Sequence, residues 1–420
     1  MSADGGAPAE LGRSDGAAGR ARAVLVLVYA ALPLIATFAH RGLAPLMAIA
    51  VFAAPGPREV CRRLTPARVD TPFGFIFIGL AGLAAWTALA ALWSPAANET
   101  DEAWGVPLAF IVGLAALTGW QGAPSATNRD VSRAALAGVA ASAVLLAVEG
   151  LSGGALRSVL SPQPRADLNL VSLGRGATIL VLLLWPALVL ARLRFGDWRA
   201  SLALAGLTAV AVVTLGLQSN MAALLLGGAA FLGGLARPKL AVTLAFAGLG
   251  AALWASPLIA LAIPSDVASG PLAEAPLTWL QRLVAWSTAG REIAAHPLFG
   301  GGLEAARHLA GERELTAFPG HGVAENVMPL HPHNVFLHLW MELGLVGAAA
   351  ASLALAGLAR LAVRSADAPF AGAAIAGAAA AFLAYAVTDW SMWQIWRIAL
   401  LFLLIGTISV ALHPKLSKMR

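Results

Sequence analysis

Charge is scarce in this chain. Asp, Glu, Lys and Arg make up 12% of its 420 residues, hydrophobic residues make up 59%, and the mean hydropathy is +0.76. Soluble domains carry roughly a quarter charged residues, so that class is excluded for most of the length. Cysteine is nearly missing. Cys61 alone can form neither an intrachain disulfide nor a thiolate metal site, which removes thiol redox and zinc-thiolate chemistry. Lysine is confined to Lys239, Lys415 and Lys418. The formal charge of +6 is therefore carried by arginines, scattered in small groups with no basic stripe and no interleaved aromatics, which excludes nucleic acid as a partner. Internal repeats, paired Gly/Pro-broken spans and a charged relay along the spans are also absent, and transporters are commonly built from these.

Apolar runs are what the chain does have. A membrane-crossing helix needs about 20 mostly apolar residues. Runs between charged or Pro/Gly punctuation fall near 23–38, 42–56, 72–93, 105–120, 134–152, 171–191, 200–217, 220–236, 240–262, 333–359, 368–388 and 393–412. The expected fold is all-α, a polytopic transmembrane protein of about 12 spans. Residues 1–22 are Gly/Ala-rich with mixed charges, a composition that cannot bury a core, and read as a disordered cytoplasmic tail. They make a poor signal peptide. Residues 23–262 hold the first nine spans, 263–332 form one large loop with short helices, 333–412 hold the last three spans, and 413–420 form a second tail.

Orientation follows from the basic residues. With the N-terminus inside, the lysines and most arginines fall in inward segments, as the positive-inside rule requires. That predicts a multi-pass protein of the bacterial inner membrane with both termini cytoplasmic and the large loop periplasmic. Arg41, Arg157, Arg165, Arg175, Arg282, Arg291, Arg307, Arg313 and Arg397 remain on the outer side, with no lysine among them. Guanidinium is a planar, permanently charged fork that suits phosphate, so this face points to an anionic ligand. A merely Arg-rich composition is the alternative.

The loop contains Trp279, Arg282 and Trp286 at helical spacing, consistent with an amphipathic helix whose aromatics sit at headgroup depth. Arg282-Leu-Val-Ala-Trp286 is followed by His296-Pro297-Leu298-Phe299-Gly300-Gly301-Gly302. Beyond the loop come His333 and Asn334, nine residues, Gly344, two residues, and Gly347. These motifs, behind a large loop in a twelve-span layout, resemble the O-antigen ligase family, whose relatives include O-antigen polymerases and protein O-oligosaccharyltransferases. In motif the resemblance covers about residues 282–347.

The resemblance implies a membrane glycosyltransferase. Its donor would be a glycan on undecaprenyl diphosphate, its acceptor a lipid A-core sugar hydroxyl, and its partners otherwise only membrane lipids, with no metal and no cofactor. The chemistry is coherent. A sugar hydroxyl needs a base to take its proton, and imidazole titrates near working pH. The leaving lipid diphosphate must be held as an anion, a task for arginines. His333 is the candidate base, and Asn334 the residue that orients it or a sugar hydroxyl, with His338 as another possible partner of Asn334. Arg175, in a Leu173-Gly-Arg-Gly-Ala-Thr run similar to a family segment, leads the diphosphate ligands, followed by Arg282, Arg165 and Arg291. Gly344 and Gly347 read as a small-residue face for close helix packing. Glu342, inside a span, calls for a buried partner.

One departure stands out. Where many relatives carry Ser-Arg, this chain has Ser219-Asn220, which tilts the reading towards ligase and away from polymerase. Polymerase, protein glycosylation with the same donor, and solute transport remain the competing readings.

Overall fold

The computed structural model describes residues 7–65, 70–96, 101–121, 125–160, 167–312, 314–368 and 370–412. In chain order the helices are α1 (Ala7–Phe38), α2 (Leu43–Ala50), α3 (Pro57–Leu64), α4 (Pro72–Ala90), α5 (Asp101–Gln121), α6 (Ser125–Leu151), α7 (Ala155–Leu160), α8 (Asp167–Phe195), α9 (Arg199–Leu215), α10 (Gln218–Ala236) and α11 (Pro238–Leu261). The loop follows, with α12 (Leu277–Ala295), α13 (Ala305–Glu312) and strands β1 (Leu315–Phe318) and β2 (Val323–Asn326). The chain closes with α14 (Val335–Ser365), α15 (Ala371–Thr388) and α16 (Ile395–Ala411).

The protein is all-α and polytopic. Among the described residues eight helices are long and apolar enough to cross a membrane, and four shorter apolar helices, at His40–Ala53, Gly105–Trp120, Arg199–Leu215 and Ile395–Ala411, stand where the sequence places the remaining spans. The span expected at 42–56 is an 8-residue helix flanked by short 3-10 turns. Helix α1 already begins at Ala7, within the stretch whose composition suggests a tail. Alanine is the strongest helix former, and the Ala17–Ala23 stretch leads directly into the first apolar run.

Helix α8 is buried along almost its whole length because it is apolar on every face from Ile179 to Ala191. Small residues set the closest packing. Gly234 of α10 lies against Gly372 and Ala373 at the start of α15, and Gly227 lies against Trp185 and Gly377. Gly79 of α4 meets Ala350 and Ala354 of α14 in the same way. In lipid, where apolar burial does not draw helices together, such backbone approach supplies the van der Waals contact that holds a bundle. Among the described residues the β-structure is a single hairpin of β1 and β2, paired antiparallel from Leu315–Asn326 to Phe318–Val323.

Candidate active site

The two loop motifs fold onto each other. Gly344 breaks α14 with φ 59° and ψ −157°, a conformation open essentially to glycine alone. The break frees backbone groups that loop residues 297–302 take up. Gly301 N–H donates to the Met341 carbonyl (2.8 Å) and Gly302 N–H to the Glu342 carbonyl (3.2 Å). In return Leu345 N–H donates to the Pro297 carbonyl (3.0 Å) and Val346 N–H to the Leu298 carbonyl (3.2 Å). Trp86 adds a hydrogen bond from Nε1 to the Leu343 carbonyl at 2.9 Å. Gly344 and Gly347 are therefore not a helix-packing face, as their spacing suggests. A Cβ on Gly344 would overlap the Leu298 carbonyl and the Gly300 nitrogen, and one on Gly347 would overlap the Leu343 side chain.

Above the break, α14 starts at a turn holding His331, Pro332 and His333. His333 has φ 54°, unusual for a side-chain-bearing residue. Two contacts hold it there: His333 N–H donates to His331 Nδ1 (3.2 Å), and Trp286 Nε1–H donates to the Pro332 carbonyl (2.9 Å). Trp286 thus docks on protein, whereas the sequence pattern suggests a headgroup anchor. Trp279 stays half exposed and donates to Gln218 Oε1.

The role expected of Asn334 also changes. Its Oδ1 accepts from Phe336 N–H (3.0 Å) and Leu337 N–H (3.2 Å), and its Nδ2 faces Ser256 Oγ at 3.5 Å. It is the N-cap of α14 and bonds neither His333 nor His338, because orphan amides one turn into the helix claim its oxygen. His338 pairs instead with Glu342 (3.0 Å), whose other oxygen accepts from Trp393 Nε1–H. The buried carboxylate in this span has the partners its position demands.

His333 faces a carboxylate that sequence reasoning missed. Its Nδ1 lies 3.8 Å from Asp389 Oδ1, in ion-pair range but too long for a hydrogen bond, and that buried nitrogen has no other partner. Asp389 is anchored by Arg397, which donates to its Oδ2 at 3.0 Å and to its backbone carbonyl at 2.6 Å. Arg397 stacks near Trp390 (5.0 Å) and Trp396 (5.1 Å). Burial raises the Asp389 pKa, but His333 and Arg397 outweigh it and hold the carboxyl at about 2. His331 is pushed down to about 2, chiefly by burial, so it stays neutral. The available signal was the run Asp389-Trp-Ser-Met-Trp-Gln-Ile-Trp-Arg397, an acid and a base eight apart in a Trp-rich turn between spans.

Arg175, Arg282 and Arg397 share Asp389 as their electrostatic partner. Arg175 Nη1 donates to His40 Nε2 at 3.4 Å. Arg282 donates from Nε to the Thr388 carbonyl (3.1 Å) beside Asp389 and from Nη1 to the Thr278 carbonyl (2.9 Å). Burial lowers the Arg282 pKa, and Asp389 works against that. An arginine remains charged under any working condition. Arg291 does not join this group; it donates to Ser287 Oγ and Thr288 Oγ1 of its own helix. Arg165 lies outside the described residues. Asn220 is fully buried: its Nδ2 donates to the Gly174 carbonyl (3.0 Å), while Oδ1 accepts from Tyr385 (2.7 Å) and Thr178 (3.2 Å). It thus clamps α8 to α10 and α15 one residue before Arg175.

The Asp389 carboxylate supplies a pH test. A carboxyl depressed to about 2 from an ordinary value near 3.9 adds stability above its unfolded pKa and loses it as pH falls towards 2. Asp389→Asn is expected to lower stability at pH 7 by about 1.5–3 kcal/mol, the range for a hydrogen bond to a charged group. In thermal unfolding at stepped pH, the gap from wild type should narrow only below about pH 4.

Comparison with known proteins covers this same region. Residues 166–352 match the family model described as O-Antigen ligase. A Rickettsia conorii protein named "Putative polysaccharide ligase" is 28% identical over 231 residues, covering 54% of this chain and 53% of that protein. A Rickettsia felis protein of the same name is 26% identical over 230 residues, covering 53% and 54% respectively. The match thus spans about half the length of these curated relatives. Arg175, Arg282, Arg291, His333, Asn334, Gly344 and Gly347 lie inside the matched segment, and Asp389 and Arg397 lie beyond it. This multi-pass, predominantly helical membrane protein is thus similar, over residues 166–352, to the O-antigen ligase family.

Proposed function

We propose that the chain transfers a glycan from undecaprenyl diphosphate to a sugar hydroxyl of lipid A-core at the periplasmic face of the inner membrane. The observation that carries this reading is the meeting of His333 with Asp389 beside Arg175, Arg282 and Arg397. A general base, the carboxylate that orients it and a set of permanent cations occupy one end of the bundle. The acceptor hydroxyl attacks the anomeric carbon of the donor, the bond from that carbon to the diphosphate oxygen breaks, and the hydroxyl proton passes to His333. A shift of about 1 Å would bring Nδ1–H into hydrogen-bond reach of Asp389 and leave Nε2 free as the acceptor. Apo catalytic contacts are commonly long in this way. Arginines take the charge that develops on the departing diphosphate.

Ligase is preferred to polymerase because Asn220, which replaces the arginine of many relatives, is committed to holding helices together and brings no charge to the site. Loss of the protein should leave lipid A-core unsubstituted and carrier-linked glycan accumulating. A single repeat attached to core would indicate a polymerase, and unchanged lipopolysaccharide with lost uptake would indicate a transporter. The diphosphate role is tested by Arg175→Lys, which keeps charge but loses the planar fork. Binding of a polyprenyl-diphosphate glycan to the purified variant is expected to weaken by about 10- to 150-fold, the equivalent of the roughly 1.5–3 kcal/mol of a charge-assisted hydrogen bond. Unchanged affinity would remove Arg175 from the site.

A further inference from the structure

A groove between α6, α8 and α9 lies apart from the residues proposed for glycan transfer, on the side to which the positive-inside rule assigns the cytoplasm. Arg129 and Arg133 of α6 and Arg194 at the end of α8 line it at one end. Apart from Ser132, the rest of its wall is apolar, including Leu136, Val144, Leu190 and Leu207. Along α6 the lining residues Arg129, Arg133, Leu136, Ala140 and Val144 recur every three or four positions, which puts them on one helix face. Two guanidiniums thus lead into an apolar stripe about 12 Å long from Leu136 to Val144 at 1.5 Å per residue. Charge at the rim is lopsided. Asp130, next to Arg129, is engaged by Arg22 at 2.8 Å and by Arg133 at 3.4 Å, and Asp197 in the α8–α9 turn accepts from Arg199 N–H at 2.9 Å. Arg129 and Arg194 have no carboxylate partner among the described residues.

We propose that this groove holds one anionic glycerophospholipid, with its phosphate between Arg129, Arg133 and Arg194 and an acyl chain along the α6 stripe. An ordinary lipid at the protein surface would need the apolar wall but not three arginines at its end. A soluble anion would need the arginines but not the wall. The two together match a molecule with a phosphate head and a hydrocarbon tail.

The test is native mass spectrometry of the detergent-purified full chain with added phosphatidylglycerol or phosphatidylcholine of equal chain length. Wild type is expected to retain one phosphatidylglycerol at least tenfold more tightly than phosphatidylcholine. Arg129→Gln combined with Arg194→Gln should weaken phosphatidylglycerol binding about 25-fold, from about fivefold per guanidinium. Ala203 is exposed and lines the groove, so Ala203→Phe should block the tail and reduce retention with the charges intact. Melting temperatures without added lipid should stay unchanged in both variants. Equal retention of the two lipids by wild type, or unaltered phosphatidylglycerol binding in either variant, overturns the proposal. Glycan transfer is not part of the readout, so failure here leaves the proposed function standing.

Discussion

Cells in which His333 is replaced by alanine are expected to make the protein at normal level and to show lipid A-core without attached glycan on lipopolysaccharide gels. General acid–base catalysis by a positioned side chain contributes about 10²–10⁴-fold, and the transfer rate should fall within that range. Fold is spared because the imidazole makes no side-chain hydrogen bond in the resting structure. Its backbone N–H still donates to His331, and the Trp286 bond to Pro332 still pins the turn. Replacement of neighbouring histidines should give a different pattern. His338→Ala strands the Glu342 carboxylate in a span, and its loss of activity should come with loss of protein. Wild-type glycan patterns in the His333 variant would remove it as the base.

The second large effect is structural. Gly344→Ala requires a side chain at φ 59°, ψ −157°, a region that costs about 1–3 kcal/mol for other residues. The new Cβ would also stand 2.5 Å from the Gly300 nitrogen and 2.6 Å from the Leu298 carbonyl oxygen, forcing the loop off the break. Four backbone hydrogen bonds between 297–302 and α14 depend on that contact. The expected result is a protein that unfolds at markedly lower temperature in detergent and has lost transfer activity, since α14 also carries the His333 turn. Gly82→Ala is the control, because its Cβ would meet only the Ala350 methyl at an ordinary 3.7 Å. Equal stability of the Gly344 and Gly82 variants would show that the break tolerates a side chain.

These two residues mark how far the sequence can be read. Spans and the loop were legible because lipid imposes a length and a composition on each helix, and α8, α11, α14 and α15 stand where their apolar runs do. The spacing of His333, Asn334, Gly344 and Gly347 marked the start of α14 and its break but not how the two are assembled. A helical reading makes Gly344 a packing glycine, while the structure makes it a break, and the partner residues for that break lie more than 40 positions earlier. The expectation that Asn334 bonds His333 missed for a related reason: its side-chain oxygen satisfies local amides, a demand set by where the helix begins. Asp389 and Arg397 escaped because their importance arises only when the turn between α15 and α16 meets the start of α14. The pairing of Arg282 with the Thr388 carbonyl is equally non-local. Charge type was more informative than position. The lysine-free outer face narrowed the anion-binding candidates to nine arginines, resemblance to family segments singled out Arg175 and Arg282, and both feel the charge of Asp389.

The central claim is one site in which His333 serves as base and arginines hold a lipid diphosphate. It is tested most directly by reconstituting the purified chain with a polyprenyl-diphosphate glycan and lipid A-core, and measuring donor binding and glycosylated product in parallel. Wild type should form product with one equivalent of polyprenyl diphosphate released, while His333→Ala binds the donor normally and forms product about 10²–10⁴-fold more slowly. Product formed by His333→Ala at the wild-type rate, or a wild-type protein that lengthens the glycan on its carrier and leaves the acceptor untouched, would contradict it.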